Sequence, residues 1–463
     1  MAGFLRVLAV RGGRRLPVMV ATLGAALGAV IAPATAGAEG GLAVDFSHRT
    51  RFEGLHNQFR PGLGSSDHGV VLRTRLAAEY ARGAFRLGGE ILDARAYDLA
   101  PHSSANGNLI DAFEPLTAYV GWNGAVSDAY TLSLRAGRMT PAFGAGRLLG
   151  RNAYRNMPNA FTGALATFES DERRLELFAL SPQQRLPNDL ESVRDNEWDL
   201  DEEHAGVRVL GAYLTTRSEA DDQLEAYGFV LRERDDGLAT RNRRLQTLGG
   251  RWLRAPAPGA WDGELEAALQ WGQVRATAAA EDSAVLDARA QFFHAALGAT
   301  GEGTWTPRVA ALLDYASGDD DPTDQRWGRF DALFGPVRGD LGPTSLFTHV
   351  LRGNFLSPAL RLEAKPTATL TAQATLRAVW LDAPRDAQIG SGVRDPAGES
   401  GDDVGTQLDA RLVWRPAPRW TLDGGIALFK HGRFMRQAPN VSGQGDPAYG
   451  YFSVTYRHPQ RRF

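Results

Sequence analysis

The sequence predicts an all-β protein: a transmembrane antiparallel β-barrel of about 18 strands, preceded by a signal peptide. Three observations carry this reading. Long segments alternate apolar and polar residues with a period of two, and long polar connections alternate with short turns. Beyond the N-terminal region, no segment approaches the ~18 uninterrupted apolar residues of a helical membrane span.

At the N-terminus, Arg6, Arg11, Arg14 and Arg15 form a basic n-region, and Val18 to Pro33 is an apolar core. Ala34-Thr35-Ala36 or Ala36-Gly37-Ala38 then offers a small-residue cleavage site. Residues 1–38 are therefore expected to be a signal peptide and residues 39–463 the exported barrel. Losing the four arginines leaves 47 basic against 54 acidic residues, a balance of −7. Such a mild charge does not suggest nucleic acid. Apart from Lys365 and Lys430 the basic residues are all arginine, and cysteine is absent, which excludes disulfides and thiol chemistry. No linker or shift in composition marks a second domain.

The clearest strand lies in 368–381, where Ala368, Leu370, Ala372, Ala374, Leu376, Ala378 and Trp380 fall on one side. Thr369, Thr371, Gln373, Thr375 and Arg377 fall on the other. Similar alternation sets Leu72, Leu76 and Tyr80 against Arg73, Arg75 and Glu79, and Leu265, Leu269 and Trp271 against Glu264, Glu266 and Gln270. Leu408, Leu412 and Trp414 likewise oppose Gln407, Asp409 and Arg411. A one-residue slip would turn arginine toward lipid at roughly 2–4 kcal/mol each near the midplane, so the charged rows must face the lumen.

Nine long connections are expected at 54–68, 96–112, 140–162, 182–203, 235–242, 275–286, 318–343, 383–404 and 431–446. Short turns such as Trp122-Asn123-Gly124, Lys365-Pro366-Thr367 and Pro416-Ala417-Pro418 lie between them. Nine hairpins make eighteen strands. In 344–364, Pro358 interrupts the pattern and two short strands are expected as an alternative to one. The last strand is read at Ala448 to Tyr456, with the tail His458 to Phe463 displacing the terminal aromatic from the wall.

At this size side chains alone cannot fill the lumen, so transport is the default function. The register points Arg49, Arg51, Arg73, Arg75, Arg86 and Arg135 inward, with Arg138, Arg147, Arg151 and Arg155 in or just before the third long loop. Guanidinium groups bind carboxylates bidentately and stay charged, so a ladder of them favours anions. The inward acids Asp45, Glu53, Glu79, Glu90, Glu264 and Glu266 temper that field, and pairing between the two sets is the competing structural explanation.

Two segments resemble motifs of the alginate export family of outer-membrane barrels. One runs from Gly137-Arg138-Met139-Thr140-Pro141 through Arg147-Leu148-Leu149-Gly150 and Tyr154-Arg155-Asn156 to Phe161. The other is Asp314-Tyr315-Ala316-Ser317-Gly318-Asp319 with the later Phe330-Asp331-Ala332-Leu333-Phe334. The opening, Arg51-Phe52-Glu53 to Arg60, is similar as well. The resemblance implies a monomeric eighteen-stranded barrel passing a polyuronate outward, with Arg138, Arg147, Arg151 and Arg155 at the constriction or its inward-folded loop. Pro416-Ala417-Pro418 is far shorter than the late periplasmic turn that closes the alginate exporter, the form expected of an ungated porin.

Asp319, Asp320, Asp321 and Asp324 offer oxygen ligands of the kind calcium takes, so a structural calcium ion is an expectation beside solvated loop acids. No other cofactor is expected. Ser65-Ser66-Asp67-His68 holds hydrolase residue types, but neighbours in sequence cannot adopt triad geometry, and nothing argues for an enzyme. The functional expectation is an outer-membrane channel for an anionic polysaccharide, in contact with lipid and lipopolysaccharide and with a periplasmic export partner where direction is imposed. The alternative is a passive or selective porin taking up small anions or sugars.

Overall fold

The period-two segments form strands whose register keeps charged side chains off the outer face. The computed structural model describes residues 40–218, 222–236, 239–279 and 281–463, so the expected signal peptide lies outside the described residues. The wall begins with β1 (Gly40–His56), β2 (Ser66–Arg82), β3 (Phe85–Tyr97), β4 (Asp111–Ala125), β5 (Thr131–Met139) and β6 (Phe161–Glu169). It continues with β7 (Arg173–Gln184), β8 (Val207–Arg217), β9 (Gln223–Glu233), β10 (Arg244–Arg254), β11 (Trp261–Arg275) and β12 (Val285–Thr300). It ends with β13 (Arg308–Ala316), β14 (Phe355–Thr367), β15 (Leu370–Trp380), β16 (Asp403–Ala417), β17 (Trp420–His431) and β18 (Ala448–Arg462). Each strand pairs antiparallel with the next, and β1 pairs with β18, so among the described residues eighteen long strands close a barrel.

Leu269, Leu297, Leu412 and Leu376 on the outer row are more than half exposed, whereas the intervening Gln270, Arg377 and Gln407 are buried. That inversion of a soluble protein's pattern fits lipid outside and a polar interior. Phe85, Trp261, Trp305, Trp414 and Trp420 are also exposed and cluster at the short-turn end, with Trp420 and Tyr456 5.1 Å apart. They form an aromatic girdle of the kind found at a membrane interface.

The nine long loops fall where the sequence places them, with corrections at the short turns, at the seventh loop and at the chain end. Trp122-Asn123-Gly124, Lys365-Pro366-Thr367 and Pro416-Ala417 remain in β4, β14 and β16, whose ladders tolerate glycine and proline near their ends. The chain reverses after them, at 126–130, 368–369 and 418–419. The seventh loop extends through 354, and the region after it is one strand, β14, rather than two. Pro358 lacks the N–H that would serve the Ala378 carbonyl; the Ser357 hydroxyl donates to that oxygen instead, at 2.7 Å. Because Pro358 points outward and Ser357 inward, the strand keeps its register across the proline. The tail is not separate from the wall. β18 runs on to Arg462, and Phe463 exchanges both backbone hydrogen bonds with Leu42 at 2.9 and 3.1 Å. The exposed terminal aromatic therefore lies against the first strand.

Candidate functional site

Inward-facing strand residues bind two of the long loops and hold them in the lumen. The 140–160 loop is caught at its tip: Arg49 donates to the Tyr154 carbonyl (3.1 Å) and to Asn156 Oδ1 (3.0 Å), and Arg51 to the Tyr154 carbonyl (2.7 Å). Arg73 donates to the carbonyls of Ala153 and Arg155, both at 2.9 Å. The 317–354 loop is held by Gln270, which exchanges two hydrogen bonds with the Asp331 backbone, and by Arg377 and Gln407, which donate to the carbonyls of Asp340 and Leu341. The two loops also grip each other. Leu149 bridges Phe334, and a Cβ on Gly335 would sit 1.7 Å from the Arg147 carbonyl oxygen, so the contact requires glycine.

Arg147 is the hub of this junction. It forks onto Asp340 (2.8 and 3.1 Å) and reaches Glu264 and Glu266 on β11, each at 2.5 Å. Arg352 adds a third bond to Asp340 at 2.7 Å, and Arg251 joins Glu264 (2.6 Å) to Glu225 (3.0 Å). Burial raises the Asp340 carboxyl, but the Arg147 and Arg352 charges more than reverse this and hold it well below the usual carboxylate range. Nearby, the fully buried Arg377 pairs with Asp314 (3.0 Å), which also accepts from His294 Nδ1 (2.7 Å).

The ten arginines singled out from sequence separate into distinct groups. Arg75 pairs with Asp45 (2.9 Å) and Glu90 (3.0 Å), Arg151 with Glu90 (2.5 Å), Arg138 with Glu114, and Arg51 with Glu53 (3.1 Å). Arg147 is neutralised as described. Arg86 bends back onto the carbonyls of Gly83 and Phe85 at the short turn, and the exposed Arg135 stacks over Tyr119 at 4.4 Å. Arg49 and Arg73 are spent on main-chain carbonyls, and Arg155 on Asn108 Oδ1 (3.1 Å). Burial and the neighbouring Arg185 lower the Arg155 guanidinium below its ordinary value.

Arg338, which the sequence reading missed, completes the last group. It stacks on Tyr154 at 4.0 Å, while Arg51 stacks on the same ring at 4.2 Å, and it donates to the Tyr451 hydroxyl (2.5 Å). Among the described residues Arg49, Arg73, Arg155 and Arg338 have no carboxylate within ion-pair distance. Three guanidiniums, those of Arg49, Arg73 and Arg338, thus contact residues 153–155 without ion-pairing to a carboxylate, while that of Arg155 turns away to Asn108. Arg338 lies in an aperiodic loop, so the only signal available was its residue type.

Of the four loop aspartates, Asp319 accepts from Gly328 N (3.1 Å), Asp321 from the backbone and hydroxyl of Thr323, and Asp324 from Arg326 N. Asp320 is exposed. Asp321 and Asp324 therefore cap turns within the seventh loop, and Asp319 ties its two arms together. A cavity of about 990 Å³ opens toward the short turns after β4 and β6, and its lining carries Asp128, Glu169, Asp171, Glu172, Glu176 and Glu225 against three arginines. The lumen is therefore bipolar, with acids toward the short-turn end and unpaired arginines around the third loop.

A closed eighteen-stranded wall, lipid-facing outside and charged within, defines an outer-membrane channel of the porin type. The chain belongs to the alginate export family, whose profile matches residues 41–447. Its fold is similar to that of Pseudomonas aeruginosa OccK8 (OprE), at 13% identity and a TM-score of 0.59 over 90% of this chain and 98% of that one. A BenF-like porin from Pseudomonas fluorescens Pf-5 is similar at 10% identity and 0.59, over 90% and 99%. P. aeruginosa OccK2 (OpdF), solved in complex with glucuronate, is similar at 15% identity and 0.56, over 89% and 97%. No curated protein matches the chain.

Proposed function

We propose that this outer-membrane barrel passes an anionic polysaccharide of the polyuronate kind, guided by Arg49, Arg73, Arg155 and Arg338. The observation that carries the reading is their lack of carboxylate partners inside a wall where most other inward arginines have one. A guanidinium held by uncharged groups alone has no ion pair to give up and favours an incoming carboxylate. Membership of the alginate export family supports the same substrate class. The barrel acts as a monomer in contact with lipid and lipopolysaccharide, and a passive channel takes its direction from a periplasmic export partner.

A second reading is a porin for small anionic solutes. Two observations favour it: the chain reverses between β16 and β17 in only two residues, Pro418-Arg419, with no long segment there to fold across the mouth, and OccK2, a structural neighbour, was solved with glucuronate. Planar-bilayer recording separates the two. Export of a polymer predicts that uronate oligomers block current at far lower concentration than glucuronate, and that Arg49→Gln with Arg73→Gln abolishes the block. Free permeation of glucuronate with no block by oligomers supports the porin. A cation-selective reversal potential in the wild type rejects the arginine pathway altogether.

A further inference from the structure

Asp111 at the start of β4, Glu114 on the same strand and Asp201 in the 185–206 loop bring carboxylate oxygens within 4.8 Å of one another. All three residues are at least 96% buried. Two guanidiniums reach them. Arg185 donates to Asp111 Oδ2 (3.2 Å) and to Asp201, and Arg138 donates to Glu114. Backbone N–H groups of Leu186 and Asp201 serve Asp201 Oδ1 (3.0 Å) and Glu114 Oε2 (3.1 Å). One oxygen is left over: Asp111 Oδ1 is buried with no hydrogen-bond partner. The other charged groups nearby are Arg155, beyond Arg185, and Asp93, which accepts from Phe113 N and pairs with Arg95.

Three carboxylates against two guanidiniums leave one negative charge in excess inside a buried cluster. A divalent cation would overshoot to a net positive charge between two arginines already in contact with the acids. A single proton balances it and gives the orphaned oxygen a partner, because a protonated Asp111 donates an O–H to its neighbouring carboxylate. We propose that Asp111, Glu114 and Asp201 share one proton, and that this proton fastens the 185–206 loop to the mouth of the barrel. Burial holds the Asp201 carboxyl above the ordinary range against the pull of Arg185. Arg185 also donates to the Pro158 carbonyl, so the cluster ties together the segments at 111–114, 158 and 185–201.

The sign of the pH dependence follows from linkage. The fastened cluster keeps a proton that separated carboxylates release above about pH 4. Raising pH toward the cluster's own pKa therefore weakens the fastening, by about tenfold in the opening equilibrium per pH unit for one proton. Hydrogen exchange of peptides covering 197–206, in the full-length protein in detergent and corrected for intrinsic exchange, measures that equilibrium from pH 5 to 7. The wild type is expected to open about tenfold more per unit, and Asp111→Asn, which balances the charge without a proton, to be flat. Glu114→Gln serves the same purpose where Asp111→Asn does not fold. A flat wild-type profile, or an unchanged slope in the folded variant, overturns the proposal. So does suppression of opening by added calcium at constant pH, which would assign the carboxylates to a cation.

Discussion

Arg147 and Asp340 meet through two hydrogen bonds although 193 residues separate them, and this fork joins the two loops that occupy the lumen. Removing the guanidinium leaves Asp340, Glu264 and Glu266 facing one another without it. Arg147→Gln is expected to cost about 3–5 kcal/mol, the range for breaking a buried pair on one side. Single-channel recording should show a larger and noisier conductance as the loops separate, and a quiet wild-type trace in the variant would show that the loops are held elsewhere.

The same fork sets an acid limit. With its folded pKa depressed, Asp340 contributes its full stabilisation above the unfolded carboxylate value of about 4, and the contribution is lost only as pH falls through the lower folded value. Conductance and noise are therefore expected to match at pH 7 and pH 5. Asp340→Asn should raise the noise equally at both.

Ser357 stands in for the amide that Pro358 lacks, while accepting from Arg377 Nη1 at 2.8 Å. Ser357→Ala strands a part-buried carbonyl and loosens a buried guanidinium, at a cost of about 1–3 kcal/mol. Adding Pro358→Ala restores an N–H to the ladder and should recover part of the loss. Heat-modifiable gel mobility of the single and double variants measures both effects.

On the outer wall, Leu269 lies near the middle of β11 and is 59% exposed. Leu269→Arg is expected to destabilise the barrel by about 2–4 kcal/mol in lipid, with little change in conductance. Leu269→Val should be almost silent. Reversible urea unfolding in liposomes gives the comparison.

The wall was legible because lipid imposes one rule on every strand. Leu269 must face out, Gln270 must face in, and a run of such choices fixes register without any knowledge of neighbours. The lumen obeys no local rule. Arg73 could be read as inward, but whether it would meet a carboxylate or the carbonyl of Ala153 depended on how a loop eighty residues away folds back. Arg147 was legible as a motif residue, whereas its partner Asp340 sits in an aperiodic loop with no signal to set it apart. Pro358 misled because a ladder donor can be replaced by a side chain, which strand propensity does not express.

Arg49 and Arg73 recognise the third loop largely through main-chain oxygens at positions 153–155. Every amino acid carries that oxygen, so the anchoring does not depend on which side chains stand at 153 and 155. Substitution there changes the charge displayed at the loop's tip without rebuilding the scaffold that holds it.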